Sequence, residues 1–312
     1  MKTAALLAGA IVLLVAPHLF NQYVIGVAVT AFAYTVAAAA LNLVYGYTGL
    51  LSFAQLAFWG IGGYAAALTV MSFGGSFWLG LVYGAVLNAL LAVAIGFPAL
   101  RLNRDSFVIV TLSFSLLAFL VARDWVSLTK GPLGIPGIPA PKAFGYEFKS
   151  ITSYYYLTLG YAVAALAIIY AIVSSRIGRT LRALKQNEPL ATSQGIAPTP
   201  YKLFVLAVSA ALTGIAGAFI VFYQKVVDPF IFDFYYLQAF LIMVIIGGSG
   251  TFWGVVIAGL VMSALPEVLR VPNELRMVIY GAILVAVVLL MPQGVAGWLR
   301  ERRIAKLRGA LQ

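Results

Sequence analysis

Between Thr3 and Leu100 the chain carries no Lys, Arg, Asp or Glu. Few features restrict a fold more. In a soluble domain about a quarter of the residues are charged, and a stretch of this length would show them. A hydrocarbon core about 30 Å thick is crossed by roughly 20 helical residues, so residues 3–100 hold four crossings divided by turn chemistry alone. Spans are expected at 4–20, 24–43, 53–72 and 77–98, with breaks at Asn21-Gln22, at Gly46-Tyr47-Thr48-Gly49 and at Gly74-Gly75-Ser76. Uncharged runs follow near 106–122, 154–175, 203–222, 235–249, 252–265 and 277–296. The expected fold is an all-α polytopic membrane protein of about ten transmembrane helices, one domain over residues 1–312. A β-barrel needs short segments of alternating polarity, and these runs are too long and too evenly apolar.

Composition agrees. The chain is 63% hydrophobic and 9% charged, with no Cys. That excludes a soluble enzyme, a disordered chain, disulfides and thiolate metal sites. The net charge of +11 would suggest nucleic acid in a soluble protein. Here the basic residues are clustered between apolar runs, where membrane topology and anionic lipid account for them. Lys2 and Ala4–Ala16 resemble a signal-peptide core. Pro17-His18-Leu19-Phe20 offers no small-residue cleavage site, so the first helix is expected to stay. His18, the only histidine, fits a helix end near the interface better than a metal site.

Lys and Arg placement sets orientation. Arg101 and Arg104 fall between spans four and five. Arg176, Arg179, Arg182, Lys185 and Lys202 fall between spans six and seven, and Arg300, Arg302, Arg303, Lys306 and Arg308 lie in the tail at 297–312. With ten spans all three clusters and both termini share one side, the cytoplasm. The loop at 123–153 is then external. Its Arg123, Lys130, Lys142 and Lys149 are spread out and partly offset by Asp124 and Glu147.

Much chemistry is missing. There is no Gly-x-x-x-x-Gly-Lys-[Ser/Thr] phosphate loop. Gly60-Ile-Gly62-Gly63-Tyr64-Ala65 fits a dinucleotide pattern only formally, since no strand precedes it and no acidic residue follows at the right distance. Small residues for close helix packing explain it better. So do Gly80 with Gly84, and Ala210 with Gly214 and Ala218. No carboxylate pair, His cluster or Ser/His/Asp set lies in a span. Buried acids normally mark ion relays, so a secondary transporter or an ion pump is disfavoured. No catalytic residue, metal site or cofactor is expected.

Two stretches look like interrupted helices, near 46–60 and 247–254. The first carries Asn42, Thr48, Ser52 and Gln55 in apolar surroundings, and the second Gly247, Gly248 and Gly250. Non-helical backbone at membrane depth is tolerated only inside protein or beside a cavity, and paired Gly-interrupted segments point to a transport pathway. Ordinary surface turns are the alternative. The loop at 174–202 is the other informative stretch. Arg176, Arg179 and Arg182 alternate with Ile177, Leu181 and Leu184, an amphipathic helix. Pro189 and Gly195 then bracket a helix of barely two turns, Pro189–Gln194, shaped to dock a partner. A loop that merely enforces topology is the alternative.

These residues carry a resemblance. Leu41-Asn-Leu-Val-Tyr-Gly46-Tyr-Thr-Gly49-Leu-Leu-Ser52-Phe-Ala-Gln55 continues through Ala57-Phe-Trp-Gly60-Ile-Gly62-Gly-Tyr64. Ser175-Arg176-Ile-Gly178-Arg179-Thr-Leu-Arg182-Ala183 is followed by Gly195-Ile196 and Tyr201-Lys202-Leu203. Gly247-Gly248-Ser-Gly250-Thr251 with Gly254 ends at Leu265-Pro266-Glu267. In order and spacing, over about residues 25–295, the chain resembles the M-type permease subunits of bacterial ABC importers for branched-chain amino acids. It departs from the loop Glu-Ala-Ala-x-x-x-Gly of such permeases, keeping only Ala191 and Gly195.

The resemblance implies a plasma (inner) membrane subunit that forms a pathway for aliphatic amino acids with a homologous second permease. It implies two cytoplasmic ATP-binding subunits, which alone hold ATP, and a periplasmic or lipid-anchored substrate-binding protein. Arg176, Arg179, Arg182, Ala191 and Gly195 would form the ATPase-coupling loop. Asn42, Thr48, Ser52, Gln55, Gly247, Gly248 and Gly250 would border the pathway. Urea or a short amide is the alternative cargo, and an ungated channel the alternative class. No nucleic acid is expected.

Overall fold

A computed structural model describes residues 13–143 and 145–268, with scattered positions between 275 and 297. Most of the expected first span, the last span at 277–296 and the basic tail fall outside the described residues. Residues 13–19 are helical. The labelled helices are α1 (Gln22–Thr48), α2 (Gln55–Met71), α3 (Phe77–Ala99), α4 (Arg104–Asp124), α5 (Ile151–Ser174), α6 (Arg176–Gln186), α7 (Glu188–Ser193), α8 (Pro198–Gln224), α9 (Phe234–Gly247) and α10 (Phe252–Val268). Among the described residues six helical segments are long and apolar enough to cross a membrane, and α2 and α10 are shorter apolar helices. The chain is therefore an all-α polytopic membrane protein.

Local chemistry sets the helix starts. Asn21, Ser76, Asn103, Ser150 and Ser175 each accept a backbone N–H of the first turn of the following helix, which satisfies donors left over by helix geometry. Helices α1 and α8 form the centre. α8 packs on α2 and α3, and α1 packs on α5, α8 and α10. The small residues do the work expected of them. A methyl added at Gly62 would overlap the backbone of Gly214, and one at Gly217 the carbonyl of Trp59. Gly80 and Gly84 lie against Ala66 and Gly62. Without a hydrophobic force between helices in lipid, such backbone contact is what holds them together.

The two ends differ. Gly96 of α3 packs against Leu203 and Leu206 at the start of α8. The basic turn with Arg101 and Arg104 therefore shares an end with α6 and α7. The opposite end carries 123–150, which is more ordered than a plain loop. One helical turn, Val126–Thr129, and a 3-10 turn, Gly131–Leu133, lead to β1 (Ile135–Pro136). A hairpin, β2 (Lys142–Ala143) with β3 (Tyr146–Glu147), follows. β1 pairs antiparallel with β4 (Val226–Val227), Ile135 opposite Val227. Glu147 pairs with both Lys142 and Lys149, and their hydrogen bonds pull its carboxyl down to about 2.

Candidate functional site

The first break lies within the expected 46–60 but is narrower. α1 runs through Gly46 to Thr48, and Gly49 ends it in the left-handed conformation, its N–H donating to the Tyr45 carbonyl. Gly60, Gly62 and Gly63 lie inside α2 and break nothing. They let Phe232, Gly214 and Val221 approach closely. The chain is non-helical only over 49–54, between the end of α1 and the start of α2.

Depth follows from the partners of that start. Ser209 Oγ donates to the carbonyl of Ala40 (2.7 Å) and lies 3.2 Å from Gln55 Oε1. At 1.5 Å per residue, Ala40 lies roughly 12 Å before the end of α1, and Ser209 roughly 17 Å beyond the start of α8. The N-terminus of α2 thus sits well inside the helix bundle rather than at its end. Bare backbone there would cost several kcal/mol per group, so hydroxyls cover it. Thr111 Oγ1 accepts from the N–H of Phe53 (3.1 Å). Ser115 Oγ donates to the Phe53 carbonyl (2.8 Å) and accepts from Ala57 N–H (3.3 Å). Gln55 Nε2 donates to Thr213 Oγ1. Thr111 with Ser115, and Ser209 with Thr213, are i, i+4 hydroxyl pairs in apolar helices. That spacing was the signal in the sequence.

Asn42, Thr48, Ser52 and Gln55 are all buried, none more than 3% exposed. Thr48 Oγ1 donates to the Val44 carbonyl (2.7 Å). Ser52 Oγ is enclosed without a hydrogen-bond partner among the described residues. Beside the break Tyr34, Trp59 and Phe240 pack edge-on, and Tyr236 lies tilted against Trp59.

The second break lies where it was expected. Gly247 closes α9, Gly248 and Gly250 have positive φ, and α10 starts at Phe252. The two breaks meet. Asn42 Oδ1 accepts from Gly250 N–H (2.9 Å), and Asn42 Nδ2 donates to the Thr251 carbonyl (3.1 Å). A methyl at Gly46 would overlap Asn42 Oδ1.

The helices α6 and α7 cap this junction. Leu181, Leu184 and Gly178 are buried, while Arg176, Arg179 and Arg182 stay exposed. Arg182 lies over the Tyr47 ring at 6.0 Å. Lys185 Nζ donates to the Gly46 carbonyl (2.7 Å), and desolvation lowers the pKa of its ammonium. The short helix begins one residue earlier than expected. Asn187 caps it through Leu190 N–H (3.1 Å) and Pro189 sits in its first turn. Gly195 is left-handed just beyond it. Ala191 faces its own chain at 6% exposed, whereas Leu190 is 59% exposed. Lys202 is not a free loop cation either. α8 extends back to Pro198, and Lys202 pairs with Glu188 of α7 at 2.6 Å with its side chain 9% exposed.

Residues 23–288 match the family described as branched-chain amino acid transport system, permease component. The chain is 30% identical over 301 residues to the high-affinity branched-chain amino acid transport system permease protein LivM of Salmonella typhimurium, covering 89% of this chain and 71% of that protein. The LivM protein of Escherichia coli is also 30% identical, over 318 residues, 94% of this chain and 75% of that one. The LivH permease of Escherichia coli is 27% identical over 301 residues, covering 90% and 94%. These are transport components, not enzymes. Since the match runs from the first turn of α1 past the end of α10, it takes in every labelled helix, and the chain belongs to the permease components of branched-chain amino acid transport systems.

Proposed function

We propose that the chain is the M-type permease of an ATP-driven importer of aliphatic amino acids in a bacterial inner membrane, crossing about ten times with both termini in the cytoplasm. It forms the translocation pathway with a homologous second permease. Two cytoplasmic ATP-binding subunits drive it, and an external binding protein delivers the cargo. LivM and LivH relatives in one system favour the paired permeases. The shared end of two basic clusters favours the cytoplasmic side for α6 and α7.

Asn42, Thr48, Ser52, Gln55, Gly247, Gly248 and Gly250 border the pathway in this reading. What supports it is non-helical chain inside the helix bundle, with Ser52 Oγ left without a hydrogen-bond partner among the described residues. Arg176, Arg179, Arg182, Ala191 and Gly195 belong to the coupling element. Ala191 shapes it from within, and Leu190 is the side chain that enters the ATPase.

The observation that carries the reading is Leu190, an exposed apolar side chain on a two-turn helix fixed by Asn187, Pro189, Gly195 and the Glu188–Lys202 pair. An apolar side chain on a rigid mount enters a partner's pocket with little ordering cost. Leu190→Glu is expected to abolish substrate-stimulated ATP hydrolysis by the reconstituted complex while the chain inserts normally. Wild-type hydrolysis in that variant would refute the docking.

A further inference from the structure

Lys185 makes a contact that neither docking nor topology requires. It sits in the last turn of α6, yet its ammonium reaches the carbonyl of Gly46 across 139 positions of sequence. Among the described residues no carboxylate pairs with it. The contact suits a cation, because the last carbonyls of a helix lack partners and carry the negative end of its dipole. It is also placed at a junction. Gly46 lies one turn beyond Asn42, whose amide brackets Gly250 and Thr251. A methyl at Gly250 would lie 3.7 Å from Lys185 Nζ, and one at Gly49 3.4 Å from Lys185 Cγ. One side chain therefore holds the end of α1 and lies beside both chain breaks.

We propose that Lys185 is a positioning residue that transmits movement of α6 and α7 to the two breaks, 49–54 and 248–251, so that they shift together. The proposal rests on α6 and α7 being the ATPase-docking element. The path is continuous: Lys185 holds the Gly46 carbonyl, α1 carries Asn42 rigidly one turn away, and Asn42 holds the α9–α10 connection. Small shifts pass through such a path because each link is a directed hydrogen bond at low dielectric. Leu181 and Leu184 seat α6 without this bond, so losing it separates transmission from folding.

The test uses the full complex in liposomes with its binding protein and leucine. Lys185→Met keeps the apolar stem and removes the donor. ATPase subunits are expected to co-purify with it, while substrate-stimulated hydrolysis and leucine uptake fall about tenfold or more, the scale of an ordinary coupling free energy between sites. Lys185→Arg, which still donates, is expected to restore most of both. A second readout is one that a purely structural residue would not move. Spin labels on single cysteines at Gln186 and Ser249, both exposed, should keep their separation on adding ATP to the otherwise wild-type complex and lose that constancy in Lys185→Met. Wild-type coupling in Lys185→Met overturns the proposal, and so does a label separation that already changes with Lys185 in place. If Leu190→Glu couples normally, the docking reading fails instead. If Leu190→Glu uncouples and Lys185→Met does not, docking stands and the transmission does not.

Discussion

Asn42 and Gly250 lie 208 positions apart and are joined by a 2.9 Å hydrogen bond from the glycine N–H to the asparagine side chain. With the second bond to Thr251, one amide closes the end of α1 onto the α9–α10 connection. Asn42→Leu keeps similar bulk and strands both backbone groups. Each buried group left unpaired costs about 1–3 kcal/mol. Thermal unfolding of the purified chain in detergent should therefore occur several degrees lower, and uptake should fall with it. Melting at the wild-type temperature would show that these bonds are dispensable.

Gly217→Ala should destabilise by about 1–3 kcal/mol, the usual cost of overpacking, because the new methyl meets the backbone of Trp59. Gly160→Ala is the internal comparison. Gly160 is exposed on α5 with open space around it, and alanine there gains about 0.5–1 kcal/mol of helix preference. Opposite shifts in denaturant midpoint are expected. Equal shifts would mean that α2 and α8 are not held by backbone contact.

Cysteines introduced singly at Ser193 and at Leu133 should react with an impermeant maleimide from opposite sides of the membrane. Both positions are exposed, on α7 and on the 3-10 turn at the other end. The chain has no other Cys to confuse the result. Labelling from one side would remove the proposed topology.

Acid should loosen the hairpin of β2 and β3 late. Lys142 and Lys149 hold Glu147 at about 2, below its ordinary value of 4.5. A carboxylate depressed on folding adds stability that is complete above 4.5 and disappears as pH falls toward 2. Protection of the β2 and β3 amides, taken relative to their intrinsic exchange at each pH, should hold at pH 4 and fall toward pH 2. In Glu147→Gln the protection should be lower at pH 4 and should no longer fall toward pH 2. A wild-type hairpin that opens already near pH 4.5 would contradict the double ion pair.

The site was legible in the sequence unevenly. Gly195 announced its left-handed position past α7, and the apolar stripe of Leu181 and Leu184 announced the buried face of α6. Both are local, set by one turn of backbone or one helical period. The first break was drawn too wide because Gly46, Gly60 and Gly62 read like Gly49 in sequence. A glycine that ends a helix and a glycine that admits a neighbouring helix differ only in what lies opposite, and Phe232 and Gly214 are far along the chain. Ala191 and Leu190 were told apart the same way: only the packed chain shows which of two adjacent apolar residues turns inward.

Hydropathy along the chain determined that this protein lies in a membrane as helices, because apolar backbone in lipid has no other way to satisfy its hydrogen bonds. Positive charge and turn residues marked where the helices end. What the tertiary structure alone decided is which polar groups meet: Asn42 with Gly250, Gln55 with Thr213, Lys185 with Gly46. Each pair joins segments more than a hundred residues apart, and no local propensity encodes such a pairing. It follows from the close approach of helices at small residues, which brings an otherwise costly polar atom within reach of the one partner that can satisfy it.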